Sequence, residues 1–325
     1  MKITMKCMMP SIAAGLVLAL VTPAGAVAPI KVWVSNTGVD GASCGAVTAP
    51  CRTFQQAHNN VAAGGEVGVL TPGDYGAGGF PTFISKSIAL TNDGVGEAGI
   101  QTGQGTAVAL QTNPGDIVSL RGLTIDGSVT ANVGIENFQP IAAVYIQNCV
   151  IKNFESPGFG ILNHSTIAQL LVSDTLIYNN GSGAGTGGIV LRGNANATLD
   201  RVHLENNVVG LFVDATTESA TGGIHVVVRD SVTSANAADG IFAKSQAGLP
   251  PAFLLVERTT SVNNAGSGIH ADGPGATVLL SDSTMTRNGA GVTTANSGQL
   301  ISYHNNRNNN NVGPEGTATG SLSLF

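Results

Sequence analysis

Charge and aromatic side chains are both scarce in this sequence. Of 325 residues only 10% are charged, 14 Lys or Arg against 20 Asp or Glu, and 5% are aromatic. Globular chains average about 25% charged residues, so this surface must draw its polarity from Asn, Ser, Thr and Gly. A net charge of −6 with no basic cluster leaves no footprint for a nucleic acid. No apolar run approaches the ~20 residues of a membrane span. Disorder is excluded from the opposite side, because hydrophobic residues make up 42% and are evenly spread.

What is present begins with a leader pattern. "MKITMK" is basic, "SIAAGLVLALV" is a short apolar core and "AGAVA" a small-residue cleavage site, which predicts a signal peptide over residues 1–26, cut after Ala26. The mature chain, 27–325, is then secreted or periplasmic. Of the four cysteines, Cys7 leaves with the leader. Cys44 and Cys51 bracket "CGAVTAPC", and export permits them to form a disulfide. Cys149 is left over and is expected to be buried as a small apolar residue.

The dominant feature is a repeat. The apolar residue before each polar turn recurs at Leu120, Ile146, Val172, Leu199, Val228, Val256, Leu280 and Ile301. Eight residues after these anchors stand Ser128, Phe154, Asn180, Asn207, Asn236, Asn264, Asn288 and Asn309, a column ending in six asparagines. Segments such as "VVVRD" and "LLVER" alternate like strands. A further strand starts at a glycine in "GILNH", "GIVLR", "GLFVD", "GIFAK", "GIHAD" and "GVTTA". No unit can bury its own apolar face, so successive units must stack into a parallel solenoid. Rungs ~4.8 Å apart turn each column into a ladder, and stacked Asn side chains then bond along the axis.

These columns, with the N-terminal "KVWVSNTGVDGASCGAVTAPCRTFQQAHNNVAAGGEVGVLTPGDYG", resemble the secreted right-handed parallel β-helix proteins of the pectin-lyase-like superfamily. The resemblance implies an all-β, single-domain, right-handed β-helix with a short N-terminal capping helix. The cap is expected over 27–66, rungs over 67–316 and a final strand over 317–325. Phe54, Ala57 and Val61 fall on one helical face, which suits a lid over the open end.

The charged residues then divide into two groups. Ser173, Asp200, Arg229, Glu257 and Ser281 follow the anchors, with Asp174, Arg201, Asp230, Arg258 and Asp282 one place on. The sign alternates from rung to rung, as a stacked turn needs to avoid self-repulsion, so these read as structural. On the glycine-led strands, Arg192, Asp214, Lys244 and Asp272 face outward with His270 and the aromatics Phe212 and Phe242. Rings beside charges suit a sugar, whose apolar face stacks while its hydroxyls and acids are fixed. Phe212, Phe242, Asp214 and Asp272 are therefore candidate glycan-binding residues. Longer rungs place insertions at 215–223 and 245–251, immediately after these strands.

Enzymatic motifs are sparse. The Asn-Thr-Asp and Asp-Asp motifs of polygalacturonase-like hydrolases and the Asp-Pro-His motif of alginate epimerases are absent. Asp214 and Asp272 stand two rungs apart, roughly 10 Å, with Lys244 between them to keep both ionised. Pectate-lyase-like enzymes hold calcium with clustered carboxylates, and the repeat spacing yields no cluster of three acids on neighbouring rungs, so neither metal nor cofactor is expected. Lys244 or Arg192 as a base, assisted by His270, is the catalytic alternative. The favoured expectation is a non-catalytic protein that contacts extracellular or cell-surface polysaccharide. The alternatives are a uronate lyase or epimerase, or a purely structural or adhesive solenoid.

Overall fold

The computed structural model describes residues 28–217 and 222–323. The expected leader and the last two residues of the expected final strand, Leu324 and Phe325, lie outside the described residues. The chain winds into a right-handed parallel solenoid of about nine turns with a single short helix. One sheet stacks twelve parallel strands from Lys31–Val34 to Gly320–Ser321. In Ile224–Arg229 the residues Ile224, Val226 and Val228 are buried while His225 and Arg229 are exposed, the two-residue period of a strand with one wet face. The anchors Leu199, Val228, Val256 and Leu280 lie in register.

Each rung turns twice through left-handed backbone. Asn148, Asp174, Arg201, Asp230, Arg258 and Asp282 have φ of 43–53°, and Asn153, Asn179, Asn206 and Asn263 have φ of 53–62°. Asn and Asp tolerate this region best, which explains why polar residues recur at both turns. Between the turns runs a three-residue strand, such as Leu176–Tyr178 or Val232–Ser234. It points one residue inward and is too short to give a sequence period.

The asparagine column is a buried ladder. Asn180, Asn207, Asn236, Asn264 and Asn288 are at most 2% exposed. Asn180 Nδ2 donates to Asn207 Oδ1 (2.9 Å), Asn236 Nδ2 to Asn264 Oδ1 (2.8 Å) and Asn264 Nδ2 to Asn288 Oδ1 (2.9 Å). The backbone N–H of Asn207 donates to Asn236 Oδ1 at 2.9 Å. The expected last member, Asn309, is wrong. Asn309 is exposed, and Asn288 Nδ2 donates to Asn311 Oδ1 instead (3.1 Å). Leu280 pairs with Ser302 rather than Ile301, and one more residue is inserted before Arg307, which pairs with Thr284.

The ladder also explains the glycines that begin the third strand of each rung. A Cβ on Gly188 would lie 2.7 Å from Gly210 O and 3.0 Å from Asn207 Nδ2. On Gly210 it would lie 2.5 Å from Gly240 O and 3.1 Å from Asn236 Nδ2. The column has no room for a side chain.

At the N-terminal end the helix Phe54–Asn60 covers the core with Phe54 and Ala57, and its N-cap Thr53 accepts from Gln56 N. Val61 follows as the C-cap and is also buried. Buried His58 accepts from Ser85 N–H at Nε2 (3.2 Å), with Nδ1 3.3 Å from Asn59 Oδ1. Burial above all, with nearby Lys86, lowers its pKa below the usual value. Cys44 and Cys51 form a disulfide. Cys149 is buried, and desolvation pushes its thiol up to about 11. At the other end a two-residue strand, Gly320–Ser321, pairs with Ile301 and Ser302.

Candidate functional site

The glycine-led strands carry a ring stack and a charged column on one outer face. Phe212, Phe242 and His270 lie in register. The Phe212 and Phe242 rings are 4.9 Å apart and inclined by 12°, and Phe242 and His270 are 4.4 Å apart at the same angle. Phe212 is only 5% exposed, because Val208 and Ala238 pack beside it. It is therefore a floor and not the open platform its position suggests, and Phe242 presents the more accessible ring.

Above these rings opens a cleft of about 410 Å³. Arg192, Asp214 and Lys244 line it on one side, and Gly185, Val208 and Asp239 on the other. Arg192 donates to Gly185 O (3.0 Å), lies 5.4 Å over the Phe159 ring and stands 4.0 Å from Asp214. Asp214 also accepts from Thr216 N–H (3.2 Å). Lys244 is in register with Asp214 and Asp272, yet no carboxylate comes within ion-pair distance of its amine among the described residues. Among the described residues the cleft thus holds one tethered cation, Arg192, and one cation without an ion pair, Lys244, beside an aromatic floor. Such a set can stack a sugar ring and neutralise its acid groups.

Five of the expected residues (Arg192, Phe212, Asp214, Phe242 and Lys244) meet at this cleft. Asp272 and His270 do not line it. Asp272 accepts from Asn296 Nδ2 (2.7 Å). His270 Nδ1 lies 2.9 Å from Asp239 Oδ2, and its Nε2 is buried without a partner. His270 therefore reaches the cleft through its stack on Phe242 and through Asp239, to which the repeat pattern assigns no role. Its one signal was its place immediately before Gly240, where a backbone turn brings it back over Phe242. Neither insertion contributes a described residue to the lining. Thr216 and Thr217 instead brace the charged side, through Asp214 and the carbonyl of Arg192.

The post-anchor charges behave differently. Arg201 Nε bonds Asp174 (2.6 Å), Arg258 Nε bonds Asp230 (2.8 Å) and Arg229 Nε lies 3.2 Å from Asp200. Hydrogen bonds from Arg201 and Arg258 hold Asp174 and Asp230 below the usual carboxylate range. These residues form the expected structural ladder.

Acids also gather where the repeat spacing gave no sign of them. Asp74, Glu97 and Asp126 line one groove of about 400 Å³ on early rungs, the first two upstream of the aligned repeats and Asp126 in the first aligned unit. Asp74 accepts from Gln101 N–H and Asp126 from Ser128 N–H. Among the described residues the one group with metal-ligand spacing is Asp40, Cys44 and Cys51, whose sulfurs are joined to each other. Asn163, at the head of an Asn-His-Ser triplet, is buried in the core, and its Oδ1 accepts from Asn137 Nδ2.

The sequence matches the family described as right handed beta helix region over residues 107–276, 170 of 325 positions. The chain belongs to this family. The matched span includes every residue lining the cleft of this β-helix protein. Among solved structures, the crystal structure of pectate lyase Pel9A is similar, with a TM-score of 0.63 and 14% identity. The similarity covers 90% of this chain and 79% of that one, and at that identity it speaks for the fold. No curated protein is detectably similar in sequence.

Proposed function

We propose that this β-helix protein binds a linear, negatively charged polysaccharide outside the cytoplasm, in the cleft over Phe212 and Phe242, without cleaving it. The observation that carries the reading is Lys244, without an ion pair among the described residues, beside tethered Arg192 and over stacked rings. The exposed edge of Phe242, whose faces are stacked by Phe212 and His270, packs against the apolar part of a sugar ring. Lys244 and Arg192 pair with uronate carboxylates, and Asp214 and Asp239 accept from hydroxyls. The fold shared with a pectate lyase agrees with a polysaccharide ligand, and the Cys44–Cys51 disulfide agrees with an oxidising compartment.

One observation favours a second reading, a uronate lyase. An amine with no carboxylate partner, next to an Arg, could take the proton alpha to a uronate carboxyl. Buried His270 Nε2 supplies no accessible acid to assist it, which weighs toward binding alone.

Calorimetric titration with polygalacturonate and with neutral dextran tests the first reading, and ultraviolet absorbance of unsaturated uronate ends tests the second, with and without calcium. Binding to polygalacturonate alone with flat absorbance is the expected result. Rising absorbance lost in Lys244→Ala replaces binding with lyase chemistry. Equal or no binding to both polymers removes the reading.

A further inference from the structure

The outward column that lines the cleft continues toward the N-terminus beyond the aligned repeats. The strand Thr124–Asn137 carries the same pattern, Gly134-Ile135-Glu136-Asn137, followed by Phe138. Its register with Val150–Asn163 pairs Ile135 with Ile161 and Asn137 with Asn163, and Asn163 pairs with Leu191. Phe138, His164 and Arg192 are each the next residue, so they extend the column of Asp214 and Lys244. His164 N–H donates to Asn137 O and Arg192 N–H to Asn163 O, which keeps the stacking regular past the strand ends.

Phe138 and His164 stack with centroids 6.2 Å apart and planes inclined by 27°. Unlike Phe212, both are open to solvent: Phe138 is 40% exposed and the His164 side chain 42%. The pair is also held from below. His164 Nε2 lies 3.1 Å from Glu136 Oε1, and Glu136 is buried and accepts from Thr106 Oγ1 at its other oxygen. A solvent-facing ring pair, stacked together and held through His164 Nε2 by Glu136, can receive a sugar ring with little further ordering of its side chains.

We propose that Phe138 and His164 form a second sugar subsite, so that a polysaccharide chain lies along the solenoid axis from Phe138 to Lys244. This rests on the cleft being the primary glycan site. The span is four rung steps, roughly 19 Å at ~4.8 Å each, longer than the cleft alone. Arg192 stands between platform and cleft and meets an acid group of the bridging sugar. The ligand class is therefore an extended acidic polysaccharide and not a short oligosaccharide.

Titration with galacturonate oligomers of increasing length tests the proposal, using wild type, Phe138→Ala, Phe138→Leu and Lys244→Ala. Wild-type affinity rises with length until the oligomer spans the strip. Both Phe138 variants lose the gain from length, about threefold to tenfold for the longest oligomers, and match wild type for the shortest. Phe138→Leu keeps apolar volume without a flat ring, and an unchanged denaturation midpoint excludes a folding defect. If Lys244→Ala weakens every oligomer but neither Phe138 variant weakens any, the subsite is overturned and the cleft reading stands. If Lys244→Ala is also without effect, both fall. Loss of self-association instead of glycan affinity would make the platform a contact between copies and overturn the proposal.

Discussion

Two columns of this solenoid alternate in charge and come to different ends. In the turn after the first strand, Asp174 is bound by Arg201 and Asp230 by Arg258. On the glycine-led strands, Arg192, Asp214, Lys244 and Asp272 alternate in the same way. There Arg192 stands at 4.0 Å from Asp214, and Lys244 reaches no carboxylate among the described residues. The turn positions lie on left-handed backbone, and their side chains pair across neighbouring rungs, Asp174 with Arg201 and Asp230 with Arg258. The strand positions point out from the sheet over a floor of rings, and the cleft opens between them. Sign alternation along a repeat therefore measures compatibility with stacking and does not by itself make a ladder.

The largest test of this contrast lies inside the solenoid. Asn236→Ala removes the acceptor of Asn207 N–H and the donor to Asn264, leaving buried polar groups unpaired. The expected loss is about 2–4 kcal/mol of stability, read as a lower denaturant midpoint, with glycan affinity retained in the protein that remains folded. Next comes Lys244→Ala, which reverses that pattern. Affinity for polygalacturonate falls at least about tenfold, the order expected for a lost charged contact, while stability moves by no more than about 0.5 kcal/mol.

Acid titration separates the buried cap from both columns. His58 is neutral in the folded protein, with its pKa lowered from 6.5 by burial and Lys86. A lowered histidine pKa means that the unfolded chain binds the extra proton first. Its contribution is therefore complete above pH 6.5 and is lost as pH falls below that value. Asp174 and Asp230 titrate lower still, below 3.8, so the turn pairs survive this window. His58→Gln, which keeps an acceptor for Ser85, flattens the stability profile below pH 6.5. The smallest effect belongs to Arg258→Ala. It lowers the midpoint slightly in dilute buffer, the difference shrinks in high salt as exposed pairs are screened, and glycan affinity is unchanged.

The columns made the fold readable from the sequence. Five of the six aligned asparagines and the strand-opening glycines are chemical consequences of one stacked geometry, since the amide that fills a turn also crowds the space a glycine Cβ would need. Register failed where the period did, at Ser302 and the inserted residue that moves the ladder to Asn311. The site was readable in part, because strand alternation brought Arg192, Asp214, Lys244 and both phenylalanines to one face. Asp239 was missed because its position depends on a turn path and not on a period. Phe138 and Glu136 were missed because their glycine, Gly134, precedes the asparagine column that drew attention to the other rungs. The burial of Phe212 follows from the apolar cluster around it, with Val208, Ala238 and the stacked Phe242 at its edge, a tertiary arrangement with no local signature.

The central claim is that the alternating column on the glycine-led strands is a binding site and the one in the turns is not. Paired measurement of polygalacturonate affinity and denaturation midpoint for Lys244→Ala tests it most directly. Lost affinity at an unchanged midpoint is the predicted result. Unchanged affinity with a lowered midpoint would make Lys244 one more member of a structural ladder and leave the cleft without its ligand.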